Sequence, residues 1–106
     1  MINMEQIIED VAQAVVKASS HWSEDQVACW KCAAAREARQ SAKWAMDNFL
    51  RNAEAADKHH IALCDDTGTP HPFLEIGDEA ILPPGVLQSM EAGIHMGTGS
   101  LLLFSC

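Results

Sequence analysis

The stretch IIEDVAQAVV, residues 7–16, decides the first part of the fold. Its apolar residues recur at positions i, i+1, i+4, i+5, i+8 and i+9, which is the spacing of one stripe along an amphipathic helix. Asn3 is a suitable N-cap for this helix, because its side-chain oxygen can accept a backbone N–H of the first turn. The polar stretch at residues 19–23 ends the helix. The sequence therefore predicts an amphipathic helix that must bury one face.

Two more helices follow from the same reasoning. Residues 23–26, Ser-Glu-Asp-Gln, form a capping-box pattern that opens a second helix, which we expect to reach about Arg39. Ala42 starts a third apolar stripe that runs to about Asp57. The histidine pair at 59–60 suits the end of that helix, because cations are favoured near a helix C-terminus. Alanine is abundant in both helices, so they can pack closely.

The second half of the chain lacks the long helical stripes of the first half and contains short apolar runs separated by turn residues. Residues 73–76 and 80–82 are short apolar runs typical of strands, and Gly77 begins a turn between them. The sequence Pro-Pro-Gly at 83–85 then leads into a further helix over residues 86–94. The predicted fold class is therefore α+β, with three helices followed by a two-strand element and a further helix.

Charge is distributed unevenly along the chain, whose net charge is −8. All 7 Lys and Arg residues lie in residues 1–58, whereas residues 59–106 contain 6 acidic residues and neither Lys nor Arg. Nucleic acid and anionic membrane surfaces are therefore poor partners, since phosphate binding relies on clustered cations. For the same reason, the second half has no Arg or Lys with which to clamp an anionic small substrate.

The N-terminal residues do not resemble an export signal. Residues 1–20 include Glu5, Glu9 and Asp10 and lack an unbroken apolar region. No apolar run approaches the length of about 18 residues that a membrane-spanning helix needs. The 4 cysteines are therefore expected to be reduced thiols or metal ligands rather than disulfides, and the expected location is the cytoplasm.

Residues 64–68, Cys-Asp-Asp-Thr-Gly, are the segment richest in chemistry. A thiol, two carboxylates and a hydroxyl stand together there, and reactive groups are often placed on loops between rigid elements. The same residues also suit a plain turn, in which the aspartates and Gly68 shape the backbone and Cys64 is a small buried residue. His71, between two prolines, is either a candidate wall residue of any site at this loop or a plain loop residue.

Residues 64–68, followed by Phe-Leu-Glu-Ile-Gly at 73–77, resemble the Cys-Gln-Asp-Thr-Gly and Phe-x-Glu-(Val/Ile)-Gly segments of the iron–sulfur hydro-lyases. These enzymes are the class I fumarases and the α chain of L(+)-tartrate dehydratase. The run at residues 52–56 is similar to the Asn-Ala-x-x-Ala run that precedes the Cys loop in that family. The resemblance extends over residues 26–97.

The resemblance implies a role for each residue of the loop. Cys64 would be one of three thiolates that hold a 4Fe–4S cluster, whose open iron polarises the substrate. Asp66 would take part in the proton transfer that accompanies addition or loss of water. Asp65, which stands where the family has Gln, and Thr67 would contact the substrate. A carboxylate at 65 would repel a dicarboxylate, so either the substrate differs or Asp65 points elsewhere.

The resemblance also implies what this chain needs from elsewhere. Catalytic chains of the family are more than twice as long, and their other two cluster cysteines lie far downstream of this motif. Residues 1–106 would then be the N-terminal part of one catalytic domain, inactive alone. It would be completed by the rest of the catalytic chain or by a β-type subunit, in an oligomer. The expected substrate is a small hydroxy-dicarboxylate of the fumarate or tartrate type.

Cys29 and Cys32 form a C-x-x-C pattern outside this motif. Such spacing occurs in zinc half-sites, which His59, His60 or Cys64 would have to complete, and in redox pairs. Two small thiols on one buried helix face are the simpler explanation, and we expect core residues here. The alternative function is accordingly a small acidic helical binding module, not an enzyme, with a zinc or thiol site.

Overall fold

The computed structural model describes residues 2–64 and 69–102, the side chain of Leu102 excepted. These residues form four α-helices: α1 (Met4–Ser20), α2 (Glu24–Arg36), α3 (Gln40–His59) and α4 (Val86–Leu102). All four predicted helices are confirmed, although α4 continues beyond the expected residue 94 through Gly97 and Gly99. No helix in this part of the chain is long and apolar enough to cross a membrane.

Hydrogen bonds and backbone geometry at the helix ends explain where the helices begin and end. Oδ1 of Asn3 accepts a hydrogen bond from the N–H of Glu5 at 3.0 Å, as expected of an N-cap. At the start of α2, the N–H of Ser23 donates to Oε1 of Gln26 at 3.0 Å, which confirms the capping box. His60 follows α3 in the left-handed conformation, with a φ of 53°, and so ends that helix.

The end of α2 at Arg36 is set by a local turn. The N–H of Arg39 donates to Oε1 of Glu37 at 2.8 Å, a hydrogen bond that competes with helical backbone bonding. The same hydrogen bond lowers the pKa of the Glu37 carboxyl. The predicted continuation of this helix to Arg39 is therefore wrong.

The predicted α+β fold is also wrong, because the described residues contain four helices and no strand. The turn between the two runs does form, with the N–H of Ala80 donating to the carbonyl of Gly77 at 2.9 Å. Two strands this short are unstable without a third strand or a helix packed on them. Neither is present among the described residues, and Phe73 and Ile81 are 98% and 91% exposed. Prolines on both sides also remove backbone donors that a ladder would use.

The most extensive helix packing is between α1 and α4. Gly93 and Gly97 lie one turn apart on α4 and face α1. A Cβ atom at Gly93 would lie 2.7 Å from the carbonyl oxygen of Ile8 and 2.7 Å from Cβ of Val11. A Cβ atom at Gly97 would be equally close to the backbone of α1. Because contacts under 3 Å are sterically forbidden to carbon, only glycine permits this approach at these two positions.

The core enclosed by these helices is small. Its buried apolar residues are Ala12, Ala34, Ala53, Ala56, Val86 and Leu101. The accessible surface is 8331 Å², whereas a compact monomer of this mass exposes about 5,800 Å². The radius of gyration is 17.6 Å, against about 13 Å for a compact domain of this length. More surface is therefore exposed than in a compact chain of this mass, and the exposed side chains include the large apolar residues Trp44, Phe73 and Ile81.

We expect Gly93→Ala to lower the free energy of unfolding by about 1–3 kcal/mol, because the added methyl group forces α1 and α4 apart. Gly99→Ala is the matched control, since nothing lies within 4 Å of a Cβ atom there. This control variant should gain about 0.5–1 kcal/mol from the better helix propensity of alanine. Urea unfolding followed by circular dichroism measures both changes. Effects of equal sign would contradict the packing described here.

Candidate active site

A cavity of about 980 Å³ lies between α1, α3, α4 and the segment that follows α3. Its polar lining residues are Ser19, Asn48, Asn52, Cys64, Thr69 and His71. Much of the remaining lining is apolar: Val11, Val15, Trp22, Phe49, Leu63, Phe73, Met90 and Ile94. A largely apolar cleft with a few convergent polar groups is typical of small-molecule sites.

Cys64 lies at this cavity because the backbone N–H and the backbone carbonyl of the preceding residue, Leu63, are both hydrogen-bonded. The N–H of Leu63 donates to the carbonyl of Ser19, at the end of α1, at 2.9 Å. Nδ2 of Asn52, on α3, donates to the carbonyl of Leu63 at 2.7 Å. Leu63 therefore bridges two helices, and the exposed Cys64 side chain follows at a fixed point on the cavity wall.

The two helices that hold Leu63 are themselves tied together. Nδ1 of His21, just after α1, lies 2.7 Å from Oδ1 of Asp57 near the end of α3. The indole rings of Trp22 and Trp30 stack with their centroids 5.5 Å apart, and Phe49 packs edge-on against Trp30 at 5.6 Å. These contacts join α1, α2 and α3, and the aromatic side chains of Trp22 and Phe49 form one wall of the cavity.

No Lys or Arg lines this cavity among the described residues. Part of the hydrogen-bonding capacity of its asparagines is already used, since Nδ2 of Asn48 donates to the carbonyl of Trp44 at 2.8 Å. Ser19, Thr69 and His71 are among the lining side chains that can donate to a carboxylate.

The predicted site residues have different outcomes. Cys64 lies on the cavity wall and is exposed, not buried as a plain turn would have it. His71 is a wall residue, as predicted. The remaining loop residues of the prediction, Asp65, Asp66 and Thr67, lie outside the described residues.

The prediction that the C-x-x-C pair is buried is wrong. Cys29 and Cys32 are both exposed on α2. In the described part of the chain, no three His, Cys, Asp or Glu side chains are grouped so as to hold a metal ion. The pair is therefore not completed as a zinc site by His59, His60 or Cys64.

Two positioning groups were missed by reasoning from the sequence. The Asn52 side chain was noted only as part of a motif, and its hydrogen bond to Leu63 explains why an amide stands there. The carbonyl of Ser19 carries no sequence signal at all, because any residue has one. The alanines of the same motif have a simple role, since Ala53 and Ala56 are buried and allow α3 to pack closely.

Comparison with known proteins gives one match. Residues 8–103 match the model of a protein family described as fumarate hydratase, or Fumerase. The match covers Cys64 and most of the four helices. No curated protein and no solved structure matches the chain.

We expect Asn52→Ala to loosen the backbone before Cys64, because the carbonyl of Leu63 loses its hydrogen bond. A lost hydrogen bond of about 1 kcal/mol corresponds to roughly fivefold faster exchange of the Leu63 amide hydrogen. Asn48→Ala is the control, since it removes the same side chain one turn earlier and breaks only a hydrogen bond within α3. Hydrogen exchange measured by NMR should show the increase in the first variant alone. Equal exchange in both would contradict the role given to Asn52.

Proposed function

The chain belongs to the fumarate hydratase family, and we propose that it is the N-terminal part of an iron–sulfur hydro-lyase. The reaction is the reversible addition or elimination of water on a small hydroxy-dicarboxylate. The observation that carries the proposal is the position of Cys64, which lies within the matched residues and on the wall of the cavity between α1, α3 and α4. Its position is fixed by the two hydrogen bonds of Leu63.

The described residues fit a site in which this chain supplies one thiolate ligand, Cys64, to an iron–sulfur cluster. The Cys64 side chain is exposed to a cavity large enough for a cofactor and substrate, and a thiolate is the ligand that iron–sulfur clusters use. The described residues contain no group of three metal-binding side chains. Cys64 would be one ligand, and the resemblance places the other two thiolates in the rest of the catalytic domain. When bound, the cluster supplies an iron that acts as a Lewis acid on the substrate.

The side chains of this chain would do the remaining work at the near side of the site. Asp66 would hold or take up the proton that is exchanged at the substrate carbon or hydroxyl. Asp65 and Thr67 would contact the substrate, with Thr69 and His71 offering hydrogen-bond donors nearby. Since the lining has no Lys or Arg, the cations that pair with the substrate carboxylates must also come from outside this chain.

The uncovered apolar surface supports a partner of substantial size. The accessible surface exceeds that of a compact monomer by about 2,500 Å², several times the share of about 800 Å² that one protein contributes to a standard interface. Trp44, Phe73 and Ile81 are among the most exposed side chains. The proposed cover is the rest of the catalytic domain, in a longer chain or in a β-type subunit of an oligomer. Without it the chain should have no hydro-lyase activity.

The function is tested by producing the chain alone and together with the missing part of the catalytic domain, both reconstituted anaerobically. The completed protein should contain iron and acid-labile sulfide and should hydrate fumarate or a related diacid. The chain alone should not. Robust turnover by the chain alone would refute the need for a partner. One zinc ion per chain without labile sulfide would instead favour the binding module.

We expect Cys64→Ser to abolish the cluster in the completed protein, because a neutral hydroxyl is a poor ligand for iron compared with a thiolate. Cys29→Ser is the matched control and should leave iron and labile sulfide unchanged, since that thiol lies on α2 away from the cavity lining. Metal analysis and visible absorbance measure both. Full iron content in the Cys64→Ser protein would overturn the assignment of this ligand.

Asp66→Asn should keep the cluster absorbance, because the amide is nearly the same size as the carboxyl group. Turnover should fall by roughly 10²–10⁴-fold, which is the usual contribution of a positioned acid or base. Steady-state kinetics on the reconstituted protein measures this loss. Unchanged turnover would assign the proton transfer to another residue.

A further inference from the structure

The proposed function leaves one pair of thiols without a role. Cys29 and Cys32 are free and exposed on α2. Residues three apart in a helix lie about 60° apart around the axis and roughly one turn apart along it. The two side chains therefore share one face of α2.

The opposite face of α2 is fixed against the rest of the protein. Trp30 stacks on Trp22 and meets Phe49 edge-on. Ala34 is buried, and its carbonyl accepts a hydrogen bond from Nζ of Lys43 at 3.1 Å. With this face anchored and the N-terminus held by its capping box, α2 presents the two thiols to solvent on a rigid support.

The spacing of the pair favours an ion over a disulfide. On a regular helix, Cβ atoms at i and i+3 are about 5–6 Å apart. A disulfide needs them about 3.5–4.5 Å apart, so its formation would distort α2. An ion between the two sulfur atoms forms two bonds of about 2.3 Å, as in zinc thiolates. The sulfur atoms are then farther apart than in a disulfide, whose S–S bond is about 2.0 Å, and this suits the wider spacing of the Cβ atoms.

We propose that Cys29 and Cys32 bind one cuprous ion as a two-thiolate complex. Soft thiolates select Cu(I), and a soft monovalent ion is satisfied by two of them. Protein zinc sites use three or four protein ligands, and no third His, Cys, Asp or Glu joins the pair in residues 2–64 and 69–102. On binding, two S–H bonds are replaced by two Cu–S bonds, and both protons pass to solvent with no change of oxidation state.

The surroundings of the pair suit this complex, which carries a net charge of −1. Arg36 is exposed and lies four residues after Cys32, so its guanidinium is on the same face as the complex. The carboxylate of Asp25, four residues before Cys29, would repel the negatively charged complex, so Arg36 and Asp25 have opposite effects on its stability. The neighbouring Ala28 and Ala33 are exposed and small, and they leave the thiols accessible. The net charge of −8 also raises the local concentration of cations.

Anoxic titration of the reduced chain with Cu(I), in competition with the chromogenic chelator bicinchoninate, tests the site. The chain has 4 cysteines, and the double variant Cys64→Ser with Cys106→Ser retains only the α2 pair. It should bind one ion per chain with the affinity of the parent. Cys29→Ser with Cys32→Ser should bind at least 100-fold more weakly. Parental affinity in the latter variant, or loss of binding in the former, would refute the site.

A variant with the same composition tests the spacing itself. Cys32→Ala combined with Ala35→Cys keeps two thiols on α2 but places them about 9 Å apart along the axis and on different faces. Its affinity should fall as far as that of the variant without the pair, with an unchanged circular dichroism spectrum. Retained affinity would show that facing thiols are not needed. One ion per two chains in analytical ultracentrifugation would also refute the proposal, because it indicates a bridge between copies.

Discussion

The close approach of α1 and α4 is the constraint on which the remaining structure depends. Gly93 and Gly97 bring the backbone of α4 against that of α1, and this fixes the position of α1 relative to α4. The carbonyl of Ser19, at the end of α1, receives the N–H of Leu63, so the position of Cys64 depends on the same crossing. The cavity has walls from both helices for this reason. The packing of Gly93 and Gly97 and the position of Cys64 are therefore linked through α1.

The core consists largely of alanine, which lets the helices pack closely but contributes little hydrophobic stabilisation. Burial contributes about 25 cal/mol for each Å² of apolar surface removed from water, and alanine has little surface to remove. Several large apolar side chains, such as Trp44 and Phe73, remain exposed. Hydrogen bonds and the aromatic stack of Trp22 and Trp30 consequently define more of the geometry than a packed core does.

Sequence reasoning succeeded where structure is determined locally. Helical periodicity and the caps at Asn3 and Ser23 depend on residues within a few positions of each other, and these predictions are confirmed. The strands failed because pairing depends on neighbours far away in sequence or outside the chain. The sequence spacing showed that Cys29 and Cys32 share one face of α2, but not whether that face is buried or exposed. The buried face is occupied by Trp30 and Ala34. The roles of Asp65, Asp66 and Thr67 stay predictions from the resemblance.

The crossing of α1 and α4 joins the first helix to the last and therefore has a consequence for folding order. Forming it closes a loop of nearly the whole chain, whose entropic cost must be met before the contact contributes. α2 and α3 are neighbours in sequence and can pair much earlier. During synthesis, α1 has to wait for α4 to emerge before its end is fixed in place. The position of Cys64 on the cavity wall is thus fixed late in folding, after α4 has packed against α1.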